Sequence, residues 1–382
     1  MDTSVKRIAI NFGGGYIPGL NAVIAGTVRT ASELGWEVLG IRDGYDGLLF
    51  RDRYSDGGLI KLTPELVESL SGSDHSILGA AARSDPFNVR EINGYNIIEE
   101  VDRSGELLET LNKEKIDAVI SVVGSRALNI LWKLHRKGLK TICIPVSVEN
   151  DVAATMLSFG FNTSLSFVAS ILARAKQAAQ SAGRIAVVEV LGEHSGWLAL
   201  QAGLAVLADA VLIPEIPFDL QKVADKLKQK VNGRRSGLVV VAEGAKPGIA
   251  IKEKTVDSEI KAALSPGAAE YGGSYVIERS GRISSEVALE IQRLTDLETS
   301  PLVLGQLARG GTPTVTDIQL GLGYGAGAVR ALKKQLYGTM VVFQPPDLKF
   351  VPLAEVINKY RTVPVESEFI QIAHSLGISL GN

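Results

Sequence analysis

Eight short apolar runs, each closed by glycine or polar residues and then by a stretch of helical periodicity, constrain this chain more than any other feature. They are Arg7 to Asn11, Trp36 to Ile41, Ala118 to Val123, Thr141 to Pro145, Arg184 to Val190, Ala210 to Ile213, Leu238 to Ala242 and Pro301 to Leu307. Runs this apolar have no solvent-facing side, which is what strands of a parallel sheet covered on both faces require. Between them, Leu20, Val23, Ile24, Val28 and Ala31 mark one helical face, and Leu128, Leu131, Trp132 and Leu134 mark another. Strand alternating with helix makes the chain α/β. Right-handed crossovers then gather the strand C-termini on one rim, where open α/β sheets hold ligands.

A length of 382 residues accommodates about two domains of roughly 150 residues. No short-period repeat and no Pro- or Ser-rich linker divides them, so the division is made by chain crossings. The stretch from Pro247 to Gly281, rich in Gly, Ser and Lys with a helical piece near Asp257 to Leu264, reads as a mobile surface connection. The 40 Lys+Arg nearly cancel the 42 Asp+Glu, which argues against a nucleic-acid binder. The single cysteine, Cys143, cannot form an internal disulfide, and no Cys/His spacing resembles a zinc site. The first residues lack the roughly 7 to 15 apolar residues of a secretory signal, and no run approaches the roughly 18 to 20 of a membrane span. A soluble cytoplasmic protein is expected, with neither nucleic acid nor membrane as partner.

After the first apolar run comes Gly13-Gly14-Gly15-Tyr16-Ile17-Pro18-Gly19-Leu20-Asn21, then an amphipathic helix. Glycines at such a junction let the backbone approach a phosphate and aim N–H groups at it, and a helix N-terminus adds a favourable field. The same glycines would also serve a plain strand-to-helix turn. The spacing is neither G-x-G-x-x-G nor G-x-x-x-x-G-K-[ST], so Rossmann and P-loop readings lose ground.

The string NFGGGYIPGLNAVI, followed by LGIRDGYDGLL at Leu39 to Leu49, resembles the phosphofructokinase family, whose first loop reads GGD-x-PG-x-N-A. ILGAAARSDPF at Ile77 to Phe87 is similar to its LGSSR-x-NPF segment, and PVSVENDV at Pro145 to Val152 to its P-x-TIDND motif. GFNTSL at Gly160 to Leu165, RIAVVEVLGEHSGWLAL at Arg184 to Leu200, VVVAEGA at Val239 to Ala245 and LGQLARGGTPTVTD at Leu304 to Asp317 complete the series in order. The resemblance implies two three-layer α/β domains with mainly parallel sheets. Residues 1–160 with roughly 309–360 would bind the donor and 161–308 the sugar phosphate, with 361–382 as a C-terminal helix region.

It further implies a 6-phosphofructokinase-type phosphotransferase that uses Mg²⁺ and moves a phosphoryl group from ATP, or pyrophosphate, to the 1-hydroxyl of fructose 6-phosphate or a related sugar. Gly14, Gly15, Gly19, Gly124 and Ser125 would bind donor phosphates, and Gly124 is the residue that accompanies ATP use. Glu149, Asp151 and Arg83 would be catalytic, with Asp151 also at the metal. Ser147, Arg184, Glu243, Gln306 and Arg309 would hold the substrate, Arg184 by reaching across a subunit contact. A homo-oligomer, dimer or tetramer, or a hetero-oligomer with an active paralogue, follows from that sharing.

Several positions depart from the family pattern. Glu149 stands for the Asp that acts as base, and its extra methylene moves the carboxylate by about 1.5 Å, where a misplacement of about 1 Å can cost roughly 100-fold. Val123 stands for the metal-binding Asp of GGDGS, and a valine cannot ligate Mg²⁺. Ser121 and Val122 replace that loop's glycines, and Tyr16 replaces the Asp of the first loop. Glu193, Ser300 and Gln306 replace an arginine, an arginine and a histidine. Activity is therefore expected to be weak. The rival reading is a catalytically silent regulatory or structural subunit that still binds sugar phosphate or nucleotide, and a third is an enzyme retuned to an acceptor lacking the 6-phosphate. On sequence alone, Val123→Asp with Glu149→Asp reads as a repair of the reaction.

Overall fold

The computed structural model describes residues 5–70, 76–79, 81, 84–92, 98–229, 236–248 and 281–382. Most of the Pro247 to Gly281 connection, and Arg83, lie outside the described residues. Two compact units divide the chain, Met1–Thr163 with Arg309–Arg361 and Ser164–Ala308 with Thr362–Asn382.

The strands in chain order are β1 (Arg7–Gly13), β2 (Glu37–Ile41), β3 (Leu59–Leu62), β4 (Val89–Ile92), β5 (Ile98–Val101), β6 (Ala118–Val123), β7 (Thr141–Ser147), β8 (Phe159–Gly160), β9 (Ile185–Val190), β10 (Ala210–Leu212), β11 (Gly237–Ala242), β12 (Thr299–Val303), β13 (Thr339–Gln344) and β14 (Asp347–Pro352). The helices are α1 (Leu20–Ser32), α2 (Asp46–Leu49), α3 (Pro64–Ser69), α4 (Ser104–Lys113), α5 (Leu128–Arg136), α6 (Phe161–Ala182), α7 (Trp197–Ala205), α8 (Leu220–Gln229), α9 (Arg282–Thr295), α10 (Val315–Lys333), α11 (Leu353–Val356) and α12 (Glu368–Ser375). No helix among the described residues is long and apolar enough to cross a membrane.

In the first unit the sheet order is β14-β13-β7-β6-β1-β2-β3, with β8 paired to β7. The centre is parallel, and β3 and β14 close the edges antiparallel. Alternation of side chains sorts the central strands into two faces. Ala9, Leu39 and Val119 pack with Leu107 and Leu111 of α4 and Leu134 of α5, while Val123, Cys143, Met340 and Val342 pack with Leu128, Leu131 and α11. On the opposite face α10 presses on the sheet so closely that a Cβ on Gly327 would stand 3.0 Å from Val341. The unit is therefore helix, sheet and helix in three layers.

Helices α1 and α10 pack backbone to backbone, and glycine permits it. A Cβ on Gly26 would stand 2.3 Å from the Leu322 carbonyl oxygen, and one on Gly325 2.3 Å from that of Val23. Neither oxygen can retreat without bending its helix. Gly26→Ala is expected to lower stability by about 1–3 kcal/mol despite alanine's better helix propensity. Urea unfolding measures it, and an unmoved midpoint would refute the seam.

In the second unit β10-β11-β9-β12 form a fully parallel sheet. Val187, Leu212, Val239 and Val241 pack with Val223 and Leu227 of α8 and Val287 and Ile291 of α9. On its other face α7 lies so near that a Cβ on Gly203 would meet Val211 at 2.4 Å. The buried Glu189 carboxylate accepts from the backbone N–H groups of Gly281 and Ser284, at 2.7 and 3.0 Å, and so sits on the positive end of α9. The apolar run Pro301 to Leu307 is not one strand. β12 stops at Val303, and Gly305, with φ +43°, opens a 3₁₀ turn over Gly305–Arg309.

Candidate active site

The C-terminal ends of β1, β6 and β7 meet on one rim of the first sheet, where Gly13 pairs with Val123 and Val123 with Pro145. The chain leaves β1 through Gly14, whose φ of +140° only glycine adopts readily and whose N–H donates to the Ala81 carbonyl at 3.2 Å. A Cβ on Gly14 or Gly15 would meet nothing within 4 Å, so these glycines border open space instead of yielding to packing. Gly19 differs. It caps α1 in the left-handed region, φ +96°, and a Cβ there would press on Phe159 at 3.3 Å. No acidic residue occupies the first turn of α1, so its N-terminus keeps the positive field that attracts an anion.

Beyond β7 the chain turns tightly through two carboxylates. Asp151 is buried, and accepts from the Ser125 hydroxyl at 2.8 Å and the Ser147 hydroxyl at 2.6 Å. Ser147 in turn accepts from the Glu149 N–H at 3.0 Å, so one serine ties both acids to the strand end. The half-buried Glu149 carboxylate meets the Arg309 guanidinium at 3.4 Å. Between the acids, Asn150 takes φ +56°, which asparagine tolerates better than most residues. Its side chain accepts from Ser158 N–H at 2.9 Å and donates to the Met156 carbonyl at 3.2 Å. Arg361 approaches from the C-terminal side, its N–H donating to the Asp151 carbonyl at 2.8 Å and its guanidinium to that of Asn150 at 3.4 Å. Burial pushes that guanidinium's pKa down to about 10.

Gly124 is crowded where Gly15 is open, since a Cβ on it would stand 3.3 Å from the Val146 carbonyl. Val123 is 2% exposed and packs among Leu128, Leu131, Cys143 and Met340. Burial in this cluster pushes the Cys143 thiol's pKa up, which makes it an apolar filler and no nucleophile.

The residues expected at the site therefore separate by unit. Gly14, Gly15, Gly19, Gly124, Ser125, Ser147, Glu149, Asp151 and Arg309 belong to the first. Arg184, Glu243 and Gln306 belong to the second. There Glu243 follows the C-terminal end of β11 and Gln306 lies exposed after β12. Arg184 precedes β9, so about 20 Å of strand, at about 3.3 Å per residue, separates it from the rim of its own sheet. It pairs with Glu298 at 3.7 Å, both side chains well exposed. Sequence reasoning missed Arg361, which reaches the turn across a separation of 211 residues. It also passed over Asp317 except as the end of a motif. That carboxylate, fully buried, accepts from Thr163 N–H at 2.7 Å and the Thr163 hydroxyl at 2.6 Å.

The family model described as Phosphofructokinase matches residues 7–332. The chain belongs to the phosphofructokinase family. Over 386 residues it is 36% identical to the ATP-dependent 6-phosphofructokinase of Chloroflexus aurantiacus, covering 100% of this chain and 99% of that protein. It is 34% identical over 362 residues to the pyrophosphate–fructose 6-phosphate 1-phosphotransferase of Amycolatopsis methanolica, covering 94% and 97%. The fold matches a pyrophosphate-dependent phosphofructokinase from Marinobacter aquaeolei with a TM-score of 0.73 at 19% identity, covering 98% of this chain and 92% of that one.

Phosphofructokinases generally use Mg²⁺, and the donor set here suits that ion in one mode. Mg²⁺ in phosphoryl-transfer sites is commonly held by one or two carboxylates, with water and substrate phosphates completing the shell. Asp151 offers one carboxylate beside the Ser125 hydroxyl. Val123 offers none, and no cluster of three or more His, Cys, Asp or Glu able to hold a metal occurs among the described residues. The fit is thus to a single carboxylate plus the donor's own oxygens.

Proposed function

We propose that this phosphofructokinase transfers a phosphoryl group from ATP, or alternatively pyrophosphate, to the 1-hydroxyl of fructose 6-phosphate or a related sugar, and does so slowly. The observation that carries this reading is the ordered turn at the end of β7, which ties Glu149 and Asp151 to Ser147 and sets Glu149 against Arg309, on the sheet rim from which the glycine loop also leaves. Glu149 receives the proton of the acceptor hydroxyl, for which it must leave Arg309. The freed guanidinium then faces the phosphate. The Gly15 backbone N–H and the start of α1 hold donor phosphates, Gly14 giving the open approach while its own N–H stays on the Ala81 carbonyl, and Gly124 and Ser125 are assigned to the same phosphates. Asp151 would hold Mg²⁺, which when bound neutralises phosphate charge. Ser147 orients both acids. Arg83 is assigned to the transferred phosphoryl group, Glu243 and Gln306 to the sugar, and Arg184 to the site of a neighbouring subunit in a homo-oligomer or a hetero-oligomer with an active paralogue. A cytoplasmic location accords with these substrates.

The rival reading, a silent subunit that binds the same ligands, is favoured by one observation: the position of the second metal carboxylate is a valine sealed in an apolar cluster. Purified protein with Mg²⁺, assayed with ATP and with pyrophosphate against fructose 6-phosphate, separates the two. Turnover is expected at least about a thousandfold below a typical 10 per second, yet above an Asp151→Ala control. Activity equal to that control, with thermal protection by ATP or fructose 6-phosphate, would establish the silent subunit. Ordinary turnover would overturn both the slowness and the role given to Val123.

A further inference from the structure

We infer that Arg361 is a positioning residue for phosphoryl transfer, fixing the peptide that joins Asn150 to Asp151 and thereby the direction of the Asp151 carboxylate. The inference rests on the assignment of Glu149 and Asp151 to the site. Two successive carbonyls of the turn, those of Asn150 and Asp151, accept from this one residue, the first from its guanidinium and the second from its backbone N–H. The neighbouring Tyr360 and Val152 form an antiparallel bridge, so residues 360–361 run along the turn as a short strap.

The turn needs that strap because its conformation is costly. Asn150 sits at φ +56°, and such a left-handed residue persists only where its surroundings over-determine it. Its side chain secures one side through Ser158 and Met156. The carbonyl of Asn150 lies in the plane of the peptide leading to Asp151, and rotating that plane changes φ at Asp151. The carboxylate would then swing away from Ser125 and Ser147. Asn150 is 1% exposed, so water cannot readily replace the guanidinium at its carbonyl. Both bonds end on main-chain carbonyls, so Arg361 acts through the backbone.

Arg361→Ala and Arg361→Lys, compared with the unaltered chain, test the inference by two readouts. Amide hydrogen exchange of a peptide spanning 148–152 is expected to quicken by about tenfold or more in Arg361→Ala, with peptides elsewhere in the first unit unchanged. Arg361→Lys should return it toward the original rate, since an ammonium still donates to the Asn150 carbonyl. Turnover of Mg²⁺–ATP and fructose 6-phosphate should fall by about tenfold in Arg361→Ala with KM for the sugar nearly constant, because a displaced acid affects the reaction more than binding. Unchanged exchange across 148–152 would overturn the inference, as would a raised KM at constant turnover. An unaltered chain without turnover would overturn the catalytic reading alone, and the exchange comparison would still decide whether Arg361 holds the turn.

Discussion

Asp317→Ala is expected to destabilise the chain by about 3–5 kcal/mol, a large share of what a domain has. The Asp317 side chain is fully buried and holds both the N–H and the hydroxyl of Thr163 on one oxygen. Alanine leaves two buried donors without that acceptor, at about 1–3 kcal/mol each. It also removes an acid from the first turn of α10, where Thr314 caps the helix by accepting from Asp317 N–H at 3.4 Å. Urea unfolding gives the number, and a loss under about 1 kcal/mol would show that the Thr163 donors find other acceptors. The sign of the pH dependence follows from burial, which raises the Asp317 pKa above the ordinary carboxylate value despite the bonds from Thr163 that oppose the shift. A carboxyl with a raised folded pKa contributes stability that is fully present below the unfolded pKa and is lost as pH rises through the folded one. The advantage of the unaltered chain over Asp317→Asn should therefore be greatest in acid and shrink from about pH 4 upward. A gap that widens with pH would reverse the assignment.

Local rules made parts of this molecule readable and hid others. Ala118–Val123 and Gly237–Ala242 are buried on every residue, and an uninterrupted apolar run announces such strands. β13 carries Met340 to Phe343 in the same style, yet Pro345 and Pro346 follow it in place of the helical periodicity that marks the other runs. The half-exposed edge strands β3 and β14 and the hairpin of β4 and β5 are too short and polar to stand out. At Val303 the pattern continued but the strand did not, because Gly305 turned the chain. The site divides similarly. Ser147 and Asp151 lie four residues apart and their bond is implicit in the turn, whereas Arg309 meets Glu149 over 160 residues and Arg361 meets Asn150 over 211. No local pattern records such pairings. The family resemblance supplied Arg309, and nothing supplied Arg361.

Packing also reverses one expectation drawn from sequence, that Val123→Asp would help repair the reaction. Val123 is sealed on the core side of β6, among Leu128, Leu131, Cys143 and Met340. An aspartate there loses about 1.5–3 kcal/mol of apolar burial. Its charge would be unpaired in the cluster, so the carboxyl would be driven toward its neutral form, and a neutral carboxyl is a poor Mg²⁺ ligand. The expected result is a loss of about 3–5 kcal/mol with no gain in turnover. Glu149→Asp should behave oppositely. Shortening the side chain draws its carboxylate back from Arg309, now at 3.4 Å, and frees the base without entering the core. Turnover should rise, by up to about 100-fold if geometry is what limits it. Thermal melts and a coupled assay on the two single variants decide the matter. If Val123→Asp alone kept its stability and gained Mg²⁺-dependent turnover, the end of β6 would have to repack toward the rim, and the missing carboxylate would become the main cause of slow catalysis.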